Sequence, residues 1–204
     1  MHLKDHIAAS AIYLFSRNGI KRVSMDDVAR KANVSKRTLY EFFGDKESLL
    51  IEVLIKLREP IAEQMELLEN SSYTALEIML LFNEKLMDKP TWMCENFYED
   101  IRRYPDAFNM LLESKLYLLK KITVLFKRGA KESVFLSDIN FDIISLMAQQ
   151  QFTSSEPPEV YKKYTHEEVH NTFFFIFLRG ICTDLGRDII DKYVNKKRYK
   201  ELHE

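Results

Sequence analysis

Cysteine is scarce in this 204-residue chain: Cys94 and Cys182 stand far apart, with no Cys or His partner at metal-ligand spacing. That excludes a zinc ribbon or a disulfide framework and makes reduced cytoplasm the expected compartment. Glycine and proline are sparse as well, five of each. With so few turn formers and no sustained period-2 alternation, a sheet-rich fold is not expected. The longest apolar run, Phe173 to Leu178, is far short of the roughly 20 residues a membrane span needs. Ile7 to Phe15 is apolar too, but it follows Asp5 and His6 and reads as a helix rather than a leader. The chain also lacks a G-x-S-x-G elbow, a P-loop and a dinucleotide fingerprint, and the cysteines read as buried filler, so no enzyme and no cofactor are expected.

What remains is rich in Leu, Lys, Glu, Ile and Met, a helical composition. The net charge of -1 hides an asymmetry. Through Leu50 there are nine basic and six acidic residues, or +3; the rest holds 30 - 9 = 21 basic and 31 - 6 = 25 acidic, or -4. A basic head on an acidic body suits a polyanionic partner for the head.

The head divides into short helices. Ile7, Ala8, Ala11, Leu14 and Phe15 recur at helical spacing before Gly19. Ser24 caps a second helix running to about Ala32, with Asp27 placed to close a capping box. Ser35 caps a third, Lys36 to Phe43, ended by Gly44, and Asp45 caps a fourth that opens at Lys46. The break Ala32-Asn33-Val34-Ser35 is short enough to demand a sharp helix-turn-helix over about 24–43. Asn33 stands where the turn wants positive φ, and Val28, Val34, Leu39, Phe42 and Phe43 are expected to face inward. That turns Lys36, Arg37, Tyr40 and Glu41 outward at the positive end of a helix, within reach of phosphates and base edges. Lys46 reads as a phosphate clamp, and Glu41 either as an acceptor for a cytosine N4 or as a brake on background binding.

Ala11 to Phe15 with Gly19, Ser24 to Ala29, Ala32 to Phe43 and Lys46 to Leu49 together resemble the DNA-binding domain of TetR-family bacterial regulators. The resemblance is gapless over roughly the first quarter of the chain. It implies an all-α fold: an N-terminal three-helix DNA-binding domain, 1–61, followed by a larger helical domain, 62–204, for effector binding and dimerisation. It implies that Ser24 touches a phosphate, that Ser35, Lys36, Arg37 and Thr38 begin the recognition helix, and that Tyr40 and Lys46 bind phosphate. Asn33 replaces the usual turn glycine and Phe42 a frequent histidine. The implied partners are a double-stranded DNA operator, a second copy of the chain and a small-molecule effector of unknown identity, with no membrane; repression is the family's commonest mode.

In the body, helices are expected from Lys46 toward Asn70 with a kink or end at Pro60, from Ser72 to Met87, Thr91 to Arg103, Asp106 to Lys131, Asp138 to Phe152 and Thr165 to about Leu185, then a charged helical tail. The dimer interface is expected on 138–152 and 165–185, where Phe173, Phe174, Phe175 and Phe177 place aromatics on more than one face. Trp92, Tyr98, Tyr104, Phe108, Tyr117 and Gln149, apolar bodies with polar tips among them, are the candidates for a ligand pocket. His166-Glu167-Glu168-Val169-His170 matches a zinc-protease pattern, but Thr165 and Glu168 also form an ordinary capping box, no third ligand follows, and no metal is assigned.

Overall fold

A computed structural model of the chain describes residues 2–87, 95–153, 160 and 163–201. Among these the fold is all-helical, and the one β feature is an isolated antiparallel bridge between Phe135 and Cys182. The helices are α1 (Leu3–Asn18), α2 (Met25–Lys31), α3 (Lys36–Phe43), α4 (Lys46–Glu69), α5 (Ala75–Met87), α6 (Glu95–Asp100), α7 (Pro105–Lys131), α8 (Phe141–Thr153), α9 (His166–Ile181) and α10 (Asp184–Glu201). A single 3-10 turn, Ile101–Arg103, joins α6 to α7.

The chain packs as two compact units: 1–62 with 90–115, and 63–89 with 116–204. In the first, α1 packs on α2 and α6, and α3 on α2. Its core gathers Ile7, Ala11, Phe15, Val28, Leu39, Phe43, Leu49, Leu50 and Val53 from the N-terminal helices, and Phe97, Ile101 and Ala107 from the later segment. Burying such side chains is worth about 1.5–3 kcal/mol each, so the 97–107 segment is part of this core. In the second unit α10 packs on α5 and α9. Phe126 is its aromatic centre: stacked on Phe141 at 5.1 Å and edge-on to Phe135 and Phe177 at 5.7 and 5.6 Å.

α4 spans the expected stretch from Lys46 toward Asn70 and continues through Pro60 to Glu69. Several boundaries differ from the sequence expectation, each for a physical reason. α5 starts at Ala75 because Thr74 and Glu77 form a capping box. α8 starts at Phe141, not Asp138, since the Asn140 side chain accepts from the N–H groups of Asp142 and Ile143. The helix expected to reach Leu185 stops at Ile181. There the backbone leaves the helix to pair with a distant loop: Leu136 N–H donates to Ile181 O at 2.8 Å and Thr183 N–H to Val134 O at 3.1 Å. Among the described residues, no helix is long and apolar enough to cross a membrane.

Candidate nucleic-acid interface and ligand cavity

The helix-turn-helix is built from local chemistry. Ser24 Oγ accepts from Asp27 N–H at 3.2 Å while the Asp27 carboxylate accepts from Ser24 N–H at 2.9 Å, closing the capping box. The Ser24 hydroxyl, donating to Asp27 Oδ2 at 2.6 Å, and then the Ser24 N–H hold the Asp27 carboxyl below the usual aspartate range. Asn33 takes φ 53 in the turn, and Val34 N–H donates back to Ala29 O at 2.9 Å. Ser35 Oγ accepts from Thr38 N–H at 3.0 Å and opens α3. Gly44, at φ 66, closes α3, and Asp45 Oδ1 accepts from Ser48 N–H at 2.7 Å.

Leu39 and Phe43 are buried one turn apart and set the inward stripe of α3. Phe42 does not join them. It is 44% exposed, because a helix with 39 and 43 at the centre of its buried stripe turns position 42 to the flank. The outer face presents Ser35, Lys36, Arg37, Tyr40 and Glu41 to solvent, with Thr38 half-buried. The basic groups there are held in exposed ion pairs. Lys36 pairs with Asp26 of α2, and Arg37 Nε donates to Glu41 Oε1 at 2.9 Å.

Lys46 is placed differently from a solvent-extended clamp. Its Nζ donates inward to Ile20 O at 2.6 Å, with the Phe15 and Tyr104 rings about 6 Å away (6.0 and 5.9 Å). Burial pulls the ammonium below the usual lysine range, and the nearby Asp100 and Asp27 carboxylates oppose that shift. Sequence spacing shows that Lys46 opens α4; it carries no sign of the distant Ile20 carbonyl.

Four of the six anticipated pocket residues, Tyr104, Phe108, Tyr117 and Gln149, have described side chains. Trp92 lies outside the described residues, as does the side chain of Tyr98. Tyr104 and Phe108 pack on the core of the first unit, and burial raises the Tyr104 phenol above the usual tyrosine range. Tyr117 and Gln149 are exposed. A cavity of about 80 Å³ opens elsewhere, within the second unit, lined by Met65, Met79, Phe82, Leu86, Ile122, Leu125 and Phe174 with two polar residues, Asn83 and His170. The His170 Nε2–H donates to Asn83 Oδ1 at 2.7 Å, and the His170 ring lies nearly parallel to Phe174. Sequence reading passed over this pair. The available signal was Asn83 itself, on the same helical stripe as Met79, Phe82 and Leu86, where a polar residue is out of pattern.

His170 is thus engaged with α5, and Thr165 and Glu168 form the capping box: Glu168 N–H donates to Thr165 Oγ1 at 3.2 Å and Thr165 N–H to Glu168 Oε2 at 2.9 Å. Among the described residues no three His, Cys, Asp or Glu side chains converge on a metal site.

Residues 7–53, which hold α1 to α3 and the start of α4, match the family described as bacterial regulatory proteins, tetR family. The match covers the N-terminal quarter of the chain, the segment that carries the helix-turn-helix. Over 47 residues it is 40% identical to the negative transcriptional regulator IcaR of the biofilm operon icaADBC in Staphylococcus aureus, covering 23% of this chain and 25% of that protein. The chain therefore spans only about a quarter of the length of the curated tetR relatives it matches, 22% and 25% for two of them. The likeness of fold is longer. A γ-butyrolactone receptor of the ArpA-like kind matches over 99% of this chain and 97% of its own, with TM-score 0.66 and 16% identity. A TetR-family regulator from Agrobacterium tumefaciens matches over 89% and 98%, with TM-score 0.71 and 15% identity. At such identities the likeness shows a shared all-helical fold.

Proposed function

We propose that the chain is a ligand-responsive transcriptional repressor that binds a pseudo-palindromic DNA operator as a homodimer in the cytoplasm. Residues 1–61 serve the DNA and 62–204 serve effector binding and dimerisation. The observation that carries this reading is the exposed outer face of α3, where Ser35, Lys36, Arg37 and Tyr40 surround a capped helix N-terminus. In this assignment Lys36, Arg37 and Thr38 meet base edges, and Ser24, Ser35 and Tyr40 meet phosphates. Lys46 contributes a phosphate contact by exchanging the Ile20 carbonyl for a phosphate oxygen. Repression is supported by the S. aureus relative, which is named a negative regulator.

A single head reads a short half-site, so specificity calls for two heads about 34 Å apart or a multiple. The second unit has an apolar surface suited to a second copy. On α8, Ile143, Leu146 and Met147 are exposed, and on α9 Phe173 and Ile176 are 65% and 67% exposed. Exposed large apolar side chains on these two helices favour association.

Footprinting and gel-shift on the DNA upstream of the chain's own gene test the reading. Salt-sensitive, palindrome-centred protection by a dimer is the expected result. Binding that does not distinguish this DNA from random duplex would overturn it.

A further inference from the structure

Asn83 is 6% exposed, and it lines a cavity whose walls are otherwise apolar but for His170. Its Oδ1 is occupied by the His170 Nε2–H at 2.7 Å, which fixes the amide so that Nδ2 is the group left over. Among the described residues that amide nitrogen has no hydrogen-bond acceptor. Buried donors are nearly always satisfied, so an orphaned one at a cavity wall marks where an acceptor belongs. Burial also pulls His170 below the usual histidine range, so the pair is uncharged at neutral pH and offers no counter-ion to a carboxylate. Met65 and Met79 supply side chains with three rotatable bonds, which let a space of about 80 Å³ widen around a guest.

We propose that this cavity binds a small, neutral, mainly apolar molecule carrying one carbonyl oxygen, which accepts a hydrogen bond from Asn83 Nδ2. His170 acts on the ligand only through Asn83, as a positioning residue. That this ligand is the effector rests on the regulatory reading above; that it binds does not.

Acetophenone and ethylbenzene, which share a ring and differ by the carbonyl oxygen, are the probes. Their dissociation constants are measured by NMR titration of the full chain and of Asn83→Leu. Water holds acetophenone back more strongly, so the informative quantity is the ratio of the two affinities within each protein. The ratio is expected to move about tenfold toward ethylbenzene in Asn83→Leu. An unchanged ratio, or no saturable binding of either probe to the unsubstituted chain, would overturn the proposal. Leu86→Phe fills the same space and keeps the test alive if Asn83→Leu does not fold. Both probes should then lose binding, and retention of either would place them elsewhere and overturn the proposal. Gel-shift on the same preparations separates the two readings. Operator binding without probe binding removes the cavity alone, and probe binding without operator binding removes the regulator alone.

Discussion

The backbone N–H of Lys21 donates to Asp100 Oδ2 at 2.6 Å, joining the turn after α1 to the end of α6 across 79 positions of sequence. A second tie lies beside it. Glu47 Oε1 accepts from the N–H groups of Asp106 and Ala107 at 2.8 and 3.4 Å, so a side chain of α4 caps the N-terminus of α7. The helix-turn-helix is therefore buttressed by a segment more than fifty residues downstream. Asp100→Ala leaves the Lys21 N–H unsatisfied beside a buried position and should destabilise the chain by about 1–3 kcal/mol in urea unfolding. Asp100→Asn keeps an acceptor and should cost less. Equal losses for the two would show that charge, rather than the hydrogen bond, makes the tie.

Arg37 and Glu41 form an exposed pair one turn apart on α3. Binding DNA through Arg37 means giving up that pair, while Glu41 also repels phosphate. Glu41→Gln should therefore raise affinity for random duplex and steepen the dependence of log K on log salt by about 1. Titrations at several salt concentrations read both quantities. A flat response would mean that Arg37 lies away from the backbone of the DNA.

His170 carries a pH dependence whose sign follows from its burial. Its folded pKa lies below the ordinary 6.5, so the unfolded chain takes up the proton first. The stability that neutral His170 contributes is complete above 6.5 and is lost as pH falls through that value toward the lower folded pKa. Subtracting the urea stability of His170→Gln from that of the unsubstituted chain, pH by pH, should give a difference that shrinks on acidification below about 6.5. A constant difference from pH 7.5 to 5 would contradict the burial of this ring.

Two glycines on successive helices predict opposite outcomes. A Cβ at Gly186 would stand 2.2 Å from Val134 O and 2.9 Å from Cys182 Sγ, against backbone that is already pinned to the 133–136 loop. Gly186→Ala should lower the thermal midpoint sharply, with a cost of about 1–3 kcal/mol or more for the overpacking. A Cβ at Gly180 meets nothing within 4 Å, and alanine there should stabilise the α9 helix by about 0.5–1 kcal/mol.

The same region tests assembly. Ile176→Glu places a charge on the exposed face of α9 without disturbing the interior of its own unit. If the proposed dimer forms through α9, light scattering should report a dimer for the unsubstituted chain and a monomer for Ile176→Glu, with helicity unchanged. A dimer that survives this substitution would move the interface off α9.

Much of the head was legible because it is made of short-range rules. The caps at Ser24, Ser35 and Asp45, the positive φ at Asn33 and the stop at Gly44 all act within four residues, and all are present. Phe42 escaped because apolar character alone cannot say whether a flanking position is covered. That depends on which neighbouring helix lies beside it. Lys46 escaped for a related reason: its α4 position is local, but the carbonyl that receives its ammonium belongs to Ile20, 26 residues earlier.

By itself, then, the order of amino acids determined the helical class, the turn between α2 and α3 and the residues that line the outer face of α3, since capping, periodicity and turn chemistry are properties of neighbouring positions. Tertiary structure alone decided that Phe97, Ile101 and Ala107 join the core of the N-terminal helices, that α9 ends at Ile181 to pair with the Val134–Leu136 backbone, and that His170 finds Asn83 across 87 positions. Those outcomes depend on which distant surfaces bury one another. Hydrophobic burial is non-directional and roughly proportional to area, so it leaves no mark in local spacing that would name the partner.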